Sequence, residues 1–67
     1  MSELPSAPFE RIMKNVGAHR VGEDAKEKMR EIVEEYSIKL ATKAVKMAEH
    51  AGRKTIKAED VKLAETE

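Results

Sequence analysis

Two short stretches of the chain hold most of the side chains that could bind an anion. GRKTIKAED, residues 52–60, contains three bases, two acids and one hydroxyl, and AHRV, residues 18–21, contains Arg20. An arginine fork can bind a phosphate group or enter a narrow minor groove, and lysine and threonine can contact phosphate oxygens. These residue types indicate contact with a nucleic-acid backbone. None of them is placed to read base edges in the major groove, so we expect low sequence specificity.

The same residues have a second interpretation. Charged loops in small proteins are usually solvated, and Arg53 could pair with Asp60, seven residues further on, to hold a helix against its loop. Glu59 and Asp60 would then be first-turn acids of that helix. The residues alone leave both interpretations open.

Other kinds of chemistry have little support. The chain has no cysteine, and its two histidines, His19 and His50, lie far apart with no cluster of ligands around them. It also lacks a nucleophile–base set and a glycine-rich phosphate loop. We therefore predict that the protein is not an enzyme and has no cofactor and no metal site.

Charge and length set further limits. Thirteen bases balance thirteen acids in 67 residues, so anion binding must depend on where the charges lie and not on their sum. The N-terminal residues do not form a signal peptide, and no apolar run approaches the ~18 residues of a membrane helix. We expect a single domain over residues 1–67, soluble and cytoplasmic, with no membrane partner.

Three helical segments separate at glycines. In PSAPFERIMKNVG, residues 5–17, Pro5 and Pro8 suit a first helical turn and Gly17 suits a left-handed C-cap. A long helix is predicted between Gly22 and Gly52, where apolar residues recur at spacings of three and four. A short last helix follows in residues 57–65, with residues 65–67 expected to be frayed. The predicted fold class is all-α, with a short, a long and a short helix.

The long helix requires a partner. At 1.5 Å per residue it extends ~43 Å, and two short helices cannot cover its apolar stripe. An uncovered stripe would exceed the apolar patch that soluble monomers usually tolerate. We therefore predict an obligate homodimer in which two long helices cross antiparallel, with residues 18–21 beside residues 53–56 of the partner. The predicted dimer core consists of Met29, Ile32, Val33, Tyr36 and Leu40.

Two long segments of the chain resemble the archaeal histones. They are ELPSAPFERIMKNVGAHRV and AVKMAEHAGRKTIKAEDVKLA, and the resemblance covers residues 3–64. ELPxAP, GAxRV and HAGRKTIKAED are its most specific motifs. The resemblance implies the histone fold, the handshake dimer, and the wrapping of double-stranded DNA without strong sequence preference.

The resemblance also implies roles for individual residues. Minor-groove insertion or its flank falls to Arg11 and Arg20, and phosphate contacts fall to Lys14, Lys54 and Thr55. Arg53 becomes the structural partner of Asp60. A contact between dimers, in which His50 pairs with Asp60 of a neighbouring dimer, falls to Met47, His50, Asp60 and Leu63.

The chain departs from the family pattern in three places. Gly22 stands where the family usually has a serine or a similar cap, and His19 replaces an acidic or amide residue beside Arg20. The C-terminal AETE replaces an apolar and basic tail, which weakens the expected contact between dimers and adds repulsion against phosphate.

Together these observations predict an architectural chromatin protein. It would bind double-stranded DNA and bend, wrap and compact it as homodimers that stack into tetramers or longer superhelical assemblies, with a paralogous histone as a further partner. Its place would be the chromosome in the cytoplasm. The alternative is a histone-fold heterodimerisation module of a transcription complex. The neutral charge and acidic tail favour the alternative, and the lack of extra segments disfavours it.

Overall fold

The computed structural model describes residues 3–66, and every regular element in that range is a helix. The three helices are α1 (Ala7–Asn15), α2 (Glu23–His50) and α3 (Ala58–Thr66). Loop 1, residues 16–22, joins α1 to α2, and loop 2, residues 51–57, joins α2 to α3. The predicted all-α class and the order of short, long and short helices are confirmed.

Glycines terminate the first two helices. Gly17 has φ +119° and Gly52 has φ +73°, backbone conformations that side chains with a Cβ rarely adopt. Across each glycine the chain closes a hydrogen bond back to the helix, from Ala18 N–H to Met13 O at 3.0 Å and from Arg53 N–H to Ala48 O at 2.9 Å. This six-residue closure satisfies carbonyls that the helix leaves free. Both predicted glycine stops are confirmed.

Two predicted helix ends were wrong. Pro8 lies in the first turn of α1, but the helix begins at Ala7, so Pro5 precedes it. At the other end α3 continues through Glu65 to Thr66, whose Oγ1 donates to Leu63 O at 2.8 Å. The expected fraying is therefore wrong for residues 65 and 66, and residue 67 lies outside the described residues.

The chain divides into two compact units, and the division falls between Glu35 and Tyr36, inside α2. In the first unit Lys26 connects α2 to α1. Its Nζ lies 3.4 Å from Glu10 Oε1 and 2.6 Å from Glu23 Oε2. The hydrogen bond from Lys26 is the main reason that the pKa of Glu10 lies below its ordinary value. The single domain predicted for residues 1–67 stays a prediction.

The second unit is closed by small side chains. Its buried apolar residues are Ala44 and Ala48 of α2 and Ala64 of α3, each at most 2 % exposed. Methyl groups of this size allow two helices to approach closely. Each contributes little, because a buried CH₂ is worth only about 0.8 kcal/mol.

Larger apolar side chains of both units remain exposed to solvent. Val16 is 82 % exposed, and the other exposed members are Ile12, Ile32, Tyr36, Ile38, Val45, Ile56, Val61 and Leu63. A scatter of single apolar residues is normal on a protein surface, but here they outnumber the buried core. The larger apolar side chains therefore lie mostly outside the interior of the chain.

Candidate nucleic-acid interface

A two-bond ion pair organises loop 2. Arg53 Nη1 lies 2.8 Å from Asp60 Oδ2, and Arg53 Nη2 lies 2.8 Å from Asp60 Oδ1. This is the fork-to-fork arrangement that makes arginine–carboxylate pairs strong and directional. The structure thus brings together the two residues expected to hold the loop to the last helix.

Asp60 also begins α3. It is the third residue of the helix, and its Oδ2 accepts a hydrogen bond from the Lys57 N–H at 2.7 Å, immediately before the first helical residue. An acid at this position that reaches back to the N-cap amide forms half of a capping box. One carboxylate therefore starts the helix and fixes the loop in front of it.

These contacts stabilise the ionised form of Asp60. Its pKa falls from 3.8 to about 2, mainly through the Arg53 hydrogen bonds and secondly through the Lys57 amide. The residue is only 3 % exposed, and its charge is matched by a neighbour in direct contact. Asp60 is accordingly charged at any neutral pH.

Arg53 also fixes the backbone of the two residues that follow it. Its Nη1 donates to Thr55 O at 3.0 Å, so the guanidinium spans the turn from inside. Lys54 and Thr55 lie on the exposed side of that turn, and Lys54 has no ion-pair partner among residues 3–66. The arrangement leaves an ammonium group and a hydroxyl available on a braced loop.

Loop 1 and α1 carry the remaining basic candidates. Arg11 and Arg20 are exposed, and within the described part of the chain no carboxylate pairs with either guanidinium. Lys14 is also exposed, and its Nζ lies 3.5 Å from Glu10 Oε2, a loose pair one helical turn apart. Such surface pairs are worth at most about 1 kcal/mol, so Lys14 can exchange Glu10 for another anion.

The residues predicted to form the dimer core differ in exposure. Ile32 and Tyr36 are each 55 % exposed, whereas the other three are half-buried: Met29, Val33 and Leu40. Side chains of this size are rarely left more than half exposed along one helix unless another surface covers them.

The four residues assigned to the contact between dimers do not share one depression. Met47, Asp60 and Leu63 line a groove between the end of α2 and α3, with Ala51 and Arg53. His50 borders a separate, shallower depression with Lys46 and Glu49. A carboxylate offers about four acceptor positions, and Asp60 already uses three within its own chain.

Arg30 is the polar residue that sequence reasoning missed. It is only 9 % exposed, and its guanidinium lies 3.0 Å from Glu27 Oε2 and 3.7 Å from Glu34 Oε1. Glu34 Oε2 in turn accepts the Glu3 N–H at 2.6 Å, which ties the segment before α1 to α2. The acids three residues before and four residues after Arg30 were a readable signal for ion pairing, but not for burial.

Two further features concern other classes of site. No helix within residues 3–66 is long and apolar enough to cross a membrane. In that same range no three histidines, cysteines or acids converge in a way that could hold a metal ion.

A long central helix between two short ones, with basic residues in the loop at each of its ends, defines the histone-fold class of DNA-binding proteins. The chain belongs to the family of histone-like transcription factors (CBF/NF-Y) and archaeal histones, whose model matches residues 2–64.

Two curated relatives match over 64 residues, which is 96 % of this chain and 96 % of each relative. One of them, from the archaeal histone HAN1 of Thermococcus zilligii, is 55 % identical. The other, the probable archaeal histone 3 of Methanocaldococcus jannaschii, is 52 % identical. The resemblance inferred from the sequence motifs is confirmed.

Proposed function

We propose that this protein is an architectural chromatin protein that binds double-stranded DNA with little sequence specificity. It bends, wraps and compacts the duplex as homodimers, which stack into tetramers or longer superhelical assemblies. The observation that carries this proposal is loop 2, where the Arg53–Asp60 pair holds Lys54 and Thr55 on an exposed, braced turn. Membership of the histone-fold family supports it.

Each basic side chain has a role in this proposal. Lys54 and Lys14 neutralise phosphate charge, and the Thr55 hydroxyl donates to a phosphate oxygen. Arg11 and Arg20 enter the minor groove or lie at its edge, where a narrow groove concentrates negative potential. Contacts of these kinds follow the shape and charge of the duplex, which accounts for the low sequence specificity.

Pairing with a second copy completes the interface. The exposed Ile32 and Tyr36, with Met29, Val33 and Leu40, form the core of an antiparallel handshake between two α2 helices. In that dimer loop 1 of one copy lies beside loop 2 of the other, and Val21 and Ile56 pair as short extended segments. Two basic loop pairs then face the same duplex, and zero net charge coexists with a basic face.

Stacking of dimers uses the groove at the end of α2. Met47 and Leu63 supply its apolar lining, and Asp60 has one acceptor position left for His50 of a neighbouring dimer. A paralogous histone could replace one copy in such assemblies. The complex would be located on the chromosome, in the cytoplasm.

The test is DNA binding over a range of salt concentrations. We expect affinity for random-sequence duplex to fall steeply with salt, because each phosphate contact releases counterions. Lys54→Glu should weaken binding about tenfold or more at low salt and reduce the salt slope by roughly two, since each dimer carries two copies. Arg20→Glu should weaken it similarly, and both variants should remain folded dimers.

Lys28→Glu is the matched control, because it removes the same charge from an exposed α2 residue outside the proposed contact set. If affinity barely changes over a tenfold range of salt, or if the control loses as much affinity as Lys54→Glu, the proposed mechanism is wrong. Nuclease digestion of the complex then reports stacking. A ladder of protected lengths in regular steps indicates extended assemblies, and one short length indicates isolated units.

A second candidate function is a heterodimerisation module of a transcription complex. It is favoured by the family, which includes histone-like transcription factors as well as archaeal histones. Size-exclusion chromatography of the chain alone separates the two functions. A well-folded homodimer supports the architectural protein, and an unfolded or aggregated chain supports the heterodimerisation module.

A further inference from the structure

A groove on the second unit joins apolar and basic side chains. It is lined by Tyr36, Lys39, Leu40 and Lys43 of α2 and by Ala64 and Glu65 of α3. The four α2 residues follow spacings of three, one and three, so they lie on one face of the helix. The groove therefore has an aromatic and an aliphatic side chain with two ammonium groups beside them.

These lysines differ from those in the first half of α2. Lys26 and Lys28 each have a carboxylate within 4.0 Å, on Glu23 and Glu31 respectively. Lys39 and Lys43 have no ion-pair partner within residues 3–66. The sequence explains the difference, because the part of α2 from residue 36 to residue 50 contains only one acid, Glu49. The lysines of the groove thus lack a carboxylate on their own helix.

The first half of α2 has the opposite charge. Residues 23–35 contain six acids and three bases, an excess that contrasts with the lysines of residues 36–50. Within it, Ile32 is 55 % exposed and lies between Glu31 and Glu35, both of which are exposed. This segment presents one aliphatic side chain flanked by carboxylates, which is complementary to the groove.

We propose that the groove receives residues 31–35 of α2 from a second copy of this chain. Ile32 of that copy packs against Tyr36 and Leu40, and its Glu31 and Glu35 face Lys39 and Lys43. The inference rests on the proposed homodimer and deepens it, because it identifies the charges that decide how two copies align and which chains can pair.

Charge then sets the direction of pairing. An antiparallel crossing places the acidic half of each α2 against the lysine-bearing half of the other. A parallel crossing would place like charges together, which is destabilising. Charges beside an apolar contact act mainly on partner choice and register, as they do in coiled coils. A histone-fold partner without acids at positions equivalent to 31 and 35 would be disfavoured.

A charge-swap pair of variants tests this directly. The first variant carries Lys39→Glu and Lys43→Glu, and the second carries Glu31→Lys and Glu35→Lys. Each variant alone opposes like charges, so we expect its dimer dissociation constant to rise at least ~100-fold, as for several like-charge contacts. In a 1:1 mixture both contacts become complementary again, and the mixture should form heterodimers. Sedimentation equilibrium and native mass spectrometry measure the two effects.

The mixture keeps the test decisive even if a single variant does not fold. Recovery of helical circular dichroism on mixing supports the inference, and no recovery overturns it. It is also overturned if either variant dimerises like the wild type, or if the mixture gives homodimers and heterodimers in statistical proportion. A dimer of the first variant that is intact but binds DNA weakly would show that these lysines are DNA contacts instead.

Two controls separate this inference from the proposed function. Lys28→Glu with Lys62→Glu removes two exposed lysines elsewhere and should leave the dimer intact. Wild-type protein is measured in parallel for dimer formation and DNA binding. If the wild type neither dimerises nor binds duplex, the proposed function fails. If it does both while the charge swap has no effect, only the present inference fails.

Discussion

Loops 1 and 2 carry similar basic residues but are built differently. In loop 2 a single guanidinium bonds both oxygens of Asp60 and the carbonyl of Thr55. In loop 1, among the described residues, backbone hydrogen bonds close the turn and Arg20 is exposed without an ion pair. A braced loop loses less conformational entropy when it binds, whereas a freer arginine can adapt to the local groove. The protein thus combines a rigid contact with an adaptable one.

Breaking the brace should have the largest effect on stability. Asp60→Ala removes three hydrogen bonds and leaves Arg53 and the Lys57 amide without their carboxylate. We expect the melting temperature to fall by roughly 10 °C, because hydrogen bonds to charged groups are among the stronger ones and small domains are sensitive. His19→Ala in loop 1 is the control and should change it by only about 1–2 °C. Equal losses from both variants would show that the loops do not differ in this way.

The two terminating glycines offer a subtler comparison. A Cβ built at Gly17 or at Gly52 meets no atom within 4 Å, so alanine would be strained only through its backbone. Gly52 at φ +73° lies near the left-handed helical region, but Gly17 at φ +119° lies well outside it. We expect Gly17→Ala to cost about 2–3 kcal/mol and Gly52→Ala about 1 kcal/mol. Urea denaturation at one fixed protein concentration measures both, and the reverse order would contradict the prediction.

Acid should weaken the brace of loop 2. The pKa of Asp60 is lowered on folding, from 3.8 to about 2, so the ionised form is favoured in the folded state. Its contribution to the free energy of unfolding is complete above about pH 4 and is lost as the pH falls through 2. The stability difference between wild type and Asp60→Asn should therefore shrink between pH 4 and pH 2. A difference that stays constant over this range would mean that the charge of Asp60 does not contribute.

The start of α2 should show the smallest effect. Gly22 occupies the position before Glu23, where its carbonyl accepts hydrogen bonds from the Ala25 and Lys26 amides. Gly22→Ser adds a side-chain cap and should raise stability by a few tenths of a kcal/mol. The new Cβ would lie 2.8 Å from Asp24 Oδ1, so that carboxylate must rotate away. A fall in melting temperature would show that the position of Asp24 contributes more than the cap.

Much of the architecture could be predicted because its signals are local. Glycine stops and helical periodicity depend on nearby residues, and the spacing of Arg53 and Asp60 suggested the pair that the structure brings together. Burial is harder to predict, since it depends on packing between segments distant in sequence. Arg30 therefore resembled an ordinary surface residue of an ion-paired helix. Pro5 and the C-terminal end of α3 were misjudged for a related reason, because helix ends depend on small differences in backbone energy.

The alanine core of residues 36–66 has a thermodynamic consequence. Ala44, Ala48 and Ala64 release little free energy on burial, while most large apolar side chains gain theirs only when another copy covers them. Folding in the proposed dimer is therefore a bimolecular reaction, and its midpoint depends on protein concentration. Tenfold dilution should lower the melting temperature measurably. The amount of this protein in a cell would then determine what fraction of it is folded.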